Sequence, residues 1–331
     1  VLCPATEYIK EMIDLVSILD KKGFTYRIGD GIYFDTAKFP EYGKLAGKSH
    51  IEGIKEGARV EANPEKRNPA DFALWKFSAP GEKRQMEWDS PWGVGFPGWA
   101  IECSAMAMKH LGETIDIHCG GEDHVAIHHT NEIAQSEAAT GKPFSNYWMH
   151  VRFLVMGDVG KMSKSSGEFL TTSTLPEKGY DPLAYRYYCL LTHYRKQLEF
   201  TWEGVEAAAR GLDGLRAMIA RLTDEAALKN APRLNTDADY YRKFSEALAD
   251  DLNLPQALAT LWEVLRDPAL PSEEKIGFVP AADEVLGLDL NRAPAEDVLP
   301  PELMSLVEER RQARKDKDFK NQKFLFINCL L

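Results

Sequence analysis

The stretch from Ile101 to Phe153, IECSAMAMKHLGETIDIHCGGEDHVAIHHTNEIAQSEAATGKPFSNYWMHVRF, alternates helix-like and strand-like runs with small residues at the joins. Alternation of this kind is the pattern of βα units in a parallel sheet, so it predicts an α/β core. Upstream, residues 57–98 hold Asn68-Pro69, Trp75-Lys76, Trp88, Ser90-Pro91-Trp92-Gly93 and Phe96-Pro97-Gly98-Trp99. Pro and Gly at that density deny a long helix and read as ordered loop with short strands. Further upstream, Phe24 to Ile28 and Ile32 to Phe34 alternate around Gly29-Asp30-Gly31, which predicts a hairpin. Ile9, Met12, Ile13, Val16 and Leu19 follow helical spacing, which predicts a helix over 6–22 with Thr6 as its N-cap and Gly23 as its stop.

Downstream, Phe153 to Met156 reads as a strand, and beyond Pro182 the pattern turns helical. Helices are expected over 183–191, 202–222, 240–248, 255–265 and 301–317, separated by Pro and Asn/Asp breaks. The expected organisation is a small α+β module over 1–95, a parallel α/β part over 96–150, a region over 151–225 that carries a Ser/Gly-rich loop, and a helical bundle over 226–331.

The 331 residues favour more than one domain. A composition of 44% hydrophobic and 27% charged residues is that of a globular chain. No apolar run approaches the roughly 18 residues of a membrane span, so no membrane partner is expected. With 40 basic against 51 acidic residues, the net charge of −11 excludes a chain that coats nucleic acid by bulk electrostatics. Cys3, Cys103, Cys119, Cys189 and Cys329 are odd in number and widely spaced, which suits a reducing, cytoplasmic setting better than a disulfide framework. The start at Val1-Leu2-Cys3, without a Met, reads as a piece of a longer polypeptide.

Six of the eight histidines (His110, His118, His124, His128, His129, His150) fall in the α/β stretch, together with Cys103 and Cys119. His128 and Glu132, at i and i+4, share one helix face. With Cys103 arriving from another element they make a three-donor set for zinc. Taken alone, the His128–Glu132 spacing reads first as a simple helix-surface hydrogen bond. His129 competes with His128 for the ligand role and faces about 100° away. A second element is Lys161-Met162-Ser163-Lys164-Ser165-Ser166-Gly167, whose two lysines on a short Ser/Gly loop suit shifting phosphate charge.

Lys161-Met162-Ser163-Lys164-Ser165 matches the signature loop of class I aminoacyl-tRNA synthetases. With Phe96 to Met106, His128 to Glu137, Asn146 to His150, Lys66-Arg67-Asn68-Pro69, His193-Tyr194-Arg195 and Asp250-Asp251-Leu252-Asn253, the chain resembles the cysteinyl-tRNA synthetases from about Ala5 to about Lys320. The resemblance implies a partial Rossmann-like catalytic domain with an α+β insertion and a C-terminal all-helical tRNA-binding bundle. It implies a ligase that joins L-cysteine to the α-phosphate of ATP, with Mg2+, and passes the cysteinyl group to the tRNA for cysteine. By position, Cys103, His128 and Glu132 match three zinc ligands, and Trp99 matches the aromatic residue lining the cysteine pocket. Lys161 and Lys164 match the lysines that stabilise the pyrophosphate leaving group. Gly120, Gly121 and Asp123 match the strand end that holds adenosine. Zinc explains the choice of cysteine over serine, because a thiolate is a good zinc ligand and an unionised hydroxyl is not. Size alone separates substrates by only about 1–3 kcal/mol per methylene. By analogy with the family the expected state is a monomer.

Two departures stand out. Cys119 replaces the family's usual glycine, and reads as a buried apolar thiol or as a neighbour of the zinc. The His-Ile-Gly-His signature and the fourth zinc cysteine have no counterpart in the sequence, and Cys3 cannot stand in because it falls at the start of the inserted module. The chain is therefore expected to lack the first half of the catalytic domain and to form cysteinyl adenylate poorly by itself. The apolar stretch Asn321 to Leu331 abandons the charged helical pattern. Two further readings share the motifs: the ligase that couples cysteine to an amino sugar in mycothiol synthesis, and a non-catalytic zinc- or RNA-binding fragment. Seven Lys/Arg against two Asp between Arg310 and Lys323 favour the tRNA-binding bundle over the first of these.

Overall fold

Met12, Leu15, Val16 and Leu19 recur at helical spacing and are all buried, which makes one face of helix α1 (Ile9–Lys21) part of a core. The computed structural model describes residues 2–47, 63–79, 81, 84–156, 171–227 and 239–292, with 309, 312 and 316. Helix α1 starts later than its periodicity suggests. Thr6 lies in a 3-10 turn, Ala5–Glu7, and the N-cap is Tyr8, which makes no side-chain cap. The expected hairpin is present as strands β1 (Thr25–Ile28) and β2 (Gly31–Phe34), paired antiparallel. Strands β3 (Phe72–Phe77) and β4 (Gly95–Pro97) extend it to a four-stranded antiparallel sheet in the order β1-β2-β3-β4.

Pairing between β3 and β4 requires glycine. A Cβ on Gly98, just past β4, would sit 1.9 Å from the Ala73 carbonyl oxygen. That close approach brings the chain straight from the sheet into helix α2 (Trp99–Leu111). Strand β5 (Ile115–Gly121), helix α3 (His128–Thr140) and strand β6 (Ser145–Val151) follow as a βαβ unit, with β5 and β6 parallel. One core joins these parts: Met12, Val16 and Leu19 of α1, Phe34, Leu74 and Trp75 of the sheet, Ile101 and Ala105 of α2, and Ala134 and Ala138 of α3. Strand β7 (Leu154–Met156) pairs in parallel with β8 (Leu198–Phe200).

The described chain divides into two compact units, one comprising 1–166 and 192–200, the other 167–191 and 201–331. The second is helical: a single turn α4 (Thr174–Glu177), then α5 (Pro182–Leu190), α6 (Trp202–Ala227), α7 (Asp239–Ala249), α8 (Leu254–Arg266) and α9 (Ser272–Leu286). Asp181 and Asn253 cap α5 and α8 by accepting the Leu183 and Gln256 N–H, each with Pro in the first turn. Helix α9 has no counterpart in the expected pattern, because Pro280 lies inside it. Phe278, Val279, Ala282 and Leu286 are buried nonetheless, and that packing outweighs the lost hydrogen bond. The helix expected over 301–317 and the apolar stretch from Asn321 lie outside the described residues, apart from three isolated positions. Among the described residues no helix is long and apolar enough to cross a membrane.

Candidate metal and substrate site

Helices α2 and α3 lie side by side, and their contact is polar where the site forms. Gln135 Nε2 donates to the Ala100 carbonyl and to Ser104 Oγ, both at 2.6 Å. Ser136 Oγ donates to Ser104 Oγ at 2.9 Å. Ser104, Gln135 and Ser136 are fully buried, so this staple fixes the register of one helix on the other. The register sets Cys103 of α2 opposite His128 and Glu132 of α3, with one donor atom from each within 4.8 Å of the others.

Glu132 is 0% exposed, and its two oxygens lie 2.7 Å from ring nitrogens, Oε1 from His128 Nε2 and Oε2 from His118 Nε2. Neither contact has hydrogen-bond geometry, so both carboxylate oxygens and His118 Nε2 are buried polar atoms without a hydrogen-bond partner. Buried donors left in this state fit a cation better than they fit one another. The electrostatics agree. Burial opposes charge on His128, but Cys103 and Glu132 outweigh it and push the imidazole up to about 10. Burial likewise opposes charge on Glu132, yet the flanking His118 and His128 hold its carboxyl below the ordinary value. A site that draws in a proton this strongly is one that a divalent metal competes for.

His118 reaches the site because strand side chains alternate, and that alternation also answers the question of Cys119. It points the other way and is exposed, neither a buried apolar thiol nor a member of a metal-capable group. His129, one residue along the helix, turns its ring off the Cys103 side, with its centroid 5.8 Å from that of His128. It packs between His118 and His150, with its Nδ1 2.8 Å from His150 Nε2. Burial is the main cause of its depression to about 3, so it is a neutral imidazole. His118, His129 and Glu132 form a second group of donors close enough to hold a metal, sharing the Glu132 carboxylate with the first. Phe144 and Trp148 wall this cluster edge-on at 5.7 and 4.9 Å from the His118 ring.

Trp99 opens α2 one turn before Cys103. It is 80% exposed, and its ring meets that of His128 edge-on at 6.3 Å. An indole there stands free beside the donor set and can close over a small ligand. At the end of β5, a Cβ on Gly120 would lie 2.5 Å from His129 Cε1, so this glycine is what admits the buried ring. Gly121 lies under Asp123, whose Oδ1 is 3.0 Å from His124 Nδ1. Beside this strand end is a cavity of about 360 Å³, lined in part by Glu122, Val125, Ala126, His150, Arg152 and Arg195. Arg152 pairs with Glu122, which also accepts the Phe153 N–H at 3.1 Å.

The structure thus brings together Cys103, His128, Glu132 and Trp99, and places Gly120, Gly121 and Asp123 on the adjoining strand end. Lys161 and Lys164 lie outside the described residues. Sequence reasoning singled out neither His118 as the partner of Glu132 nor the Ser104–Gln135–Ser136 staple. His118 was visible only as one of the clustered histidines, and nothing in the residue pattern marks the staple.

The βαβ unit thus sets a metal-capable donor group beside a glycine-rich strand end. The family model described as tRNA synthetases class I (C) catalytic domain matches residues 2–210, and the chain belongs to that family. Its relatives include the cysteine–tRNA ligase 1 of Burkholderia lata, 49% identical over 96% of this chain and 65% of the relative. Another is the cysteine–tRNA ligase of Treponema denticola, 42% identical over 97% of this chain and 70% of the relative. The chain therefore spans about two thirds of their length. In fold it is similar to Mycobacterium tuberculosis methionyl-tRNA synthetase bound by methionyl-adenylate, with a TM-score of 0.50 and 12% identity over 86% of this chain and 71% of that one.

Proposed function

We propose that the chain carries the amino-acid-selecting and tRNA-binding parts of a cysteine–tRNA ligase, which forms cysteinyl adenylate from L-cysteine and ATP with Mg2+ and transfers the cysteinyl group to the tRNA for cysteine. The observation that carries this reading is the Cys103–His128–Glu132 donor set beside the exposed indole of Trp99. Zinc held there supplies a site that takes a thiolate and not an unionised hydroxyl, which is the chemical difference between cysteine and serine.

Each residue then has a task. Cys103, His128 and Glu132 would hold the metal, and His118 Nε2 stands 2.7 Å from the remaining oxygen of Glu132. Trp99 closes over the substrate side chain and excludes water. Gly120, Gly121 and Asp123 mark the end of β5 where the adenosine moiety would sit. Lys161 and Lys164 neutralise the negative charge that builds on the departing pyrophosphate. The four-part organisation, 1–95, 96–150, 151–225 and 226–331, assigns the last part to the tRNA. Relatives named as cysteine–tRNA ligases support tRNA over an amino sugar as the acceptor.

Cobalt substitution tests the reading. Addition of L-cysteine to the cobalt-loaded protein strengthens the thiolate-to-cobalt charge-transfer band, and L-serine at the same concentration leaves it unchanged. Equal responses to the two amino acids would remove the basis for the proposal.

A further inference from the structure

Among the described residues, the helix that presents His128 and Glu132 is tied to the N-terminal module through Tyr42, Lys44 and Lys22. The Tyr42 hydroxyl donates to Asn131 Oδ1 at 2.6 Å, and Asn131 is buried immediately before Glu132 in the chain. Lys44 Nζ pairs with Glu137 Oε2 at 2.5 Å, while the other oxygen of Glu137 accepts the Phe144 N–H that leads into β6. Lys22 Nζ donates to the Ala139 carbonyl at 2.6 Å and to the Ala138 carbonyl at 3.3 Å, satisfying carbonyls that the helix end leaves free.

These ties bear on the metal donors through geometry. Successive residues of a helix are 100° apart, so a bond to Asn131 sets the rotation of α3 about its axis and with it the aim of His128 and Glu132. The Ser104–Gln135–Ser136 staple holds α3 against α2, and Asn131 lies one turn before Gln135, on the flank of that face. Tyr42 adds a second hold there, from the N-terminal module. Its ring stacks on Phe72 at 6.4 Å, and burial raises its phenol, so it remains a neutral donor.

We infer that Tyr42 is a positioning residue for the metal donors: through Asn131 it fixes the rotation of α3, making the N-terminal module a working part of the metal site. The inference rests on the reading of Cys103, His128 and Glu132 as metal ligands, and it adds a residue that touches neither metal nor substrate. Residues bonded directly to metal ligands are worth about 10- to 100-fold in metal affinity, and Tyr42, one step further out, is expected at the lower end of that range.

The test is chelator competition for Zn2+ on the full chain. Tyr42→Phe weakens zinc binding by about 10-fold. Tyr26→Phe serves as the control, because this tyrosine of the same module donates to Asp71 and has no bond to α3. It lowers the melting temperature and leaves zinc affinity within about twofold. Asn131→Ala repeats the Tyr42→Phe loss from the other side of the bond, and the double variant loses no more than either alone. Tyr42→Phe with wild-type affinity, equal losses in Tyr42→Phe and Tyr26→Phe, or additive losses in the double variant would each overturn the inference. Wild-type protein that takes up no zinc would instead sink the metal reading. In that event amide exchange decides: α3 amides exchange faster in Tyr42→Phe than in Tyr26→Phe if Tyr42 holds the helix, and at equal rates if it does not.

Discussion

Helices α3 and α8 are both thirteen residues long, and they are built on opposite plans. Helix α8 of the C-terminal bundle buries one stripe, Ala257, Leu258, Thr260, Leu261, Val264 and Leu265, and turns its other side to water. Helix α3 buries ten positions, among them His129, Thr130, Asn131, Glu132, Gln135 and Ser136. One is held by apolar area, which is tolerant of detail. The other is held by named polar partners, which fix a single arrangement, and it is the one that carries the site. The contrast teaches that here the residues selecting a ligand and the residues holding their helix are drawn from the same buried polar set.

The strongest way to break that contrast is to remove its central carboxylate. Glu132→Ala leaves His118 and His128 without their shared partner. Zinc binding should weaken by well over the roughly 100-fold upper range of a supporting residue, as read by equilibrium dialysis with metal analysis. The matching change in the bundle is Leu261→Ala. It should cost about 2–5 kcal/mol in chemical unfolding of the helical unit and leave zinc affinity within about twofold. A large loss of zinc in the Leu261 variant would show that the two plans are not separable.

Even the bundle has polar ties, and the most buried of its charged groups sharpens the comparison. Buried Arg216 pairs with Asp181 at 3.0 Å and donates to the Leu288 and Asp289 carbonyls. Burial opposes charge on Asp181, but the Leu183 N–H, Arg216 and Arg292 hold its carboxyl below the ordinary value. A depressed folded-state value means that this stabilisation is present at neutral pH and is lost as pH falls through it. Asp181→Asn should therefore destabilise by about 1.5–3 kcal/mol at pH 7. The gap to wild type should begin to narrow as pH falls below about 4, as measured by denaturant unfolding at a series of pH values. A gap that does not narrow on acidification would assign the loss to packing.

The smallest effect is expected at the staple. Gln135→Met keeps the volume, removes two hydrogen bonds and also removes Oε1, a buried oxygen without a partner. The net cost should be only about 1 kcal/mol. Its visible consequence should be looser placement of Cys103, read as a broadened thiolate-to-cobalt band. An unaltered band would show that apolar packing alone sets the register of α2 on α3.

Regions that fold by periodicity were readable. The hairpin around Gly29-Asp30-Gly31, helix α1 apart from its first turn, and most of the bundle follow from apolar spacing and turn residues. Helix α9 was not readable, because Pro280 breaks the local rule while burial of Phe278, Val279 and Leu286 overrules it. Of the candidate site, the His128–Glu132 pair was legible as an i, i+4 face, and Cys103 came through resemblance to a family. His118 was hidden because a strand residue and a helix residue meet across a βα connection whose register no local pattern encodes.

The sequence by itself determined the α/β class, the helical C-terminal region and the identity of the family, because these depend on residue period and on motif strings that survive without coordinates. Only the tertiary structure decided that one buried carboxylate stands between two imidazoles, that Cys119 turns away from the metal donors, and that Tyr42 reaches Asn131 from the N-terminal module. The physical reason is range. Periodicity reports which face of an element is buried, whereas the partner of a buried polar atom is set by the packing of elements far apart in the chain.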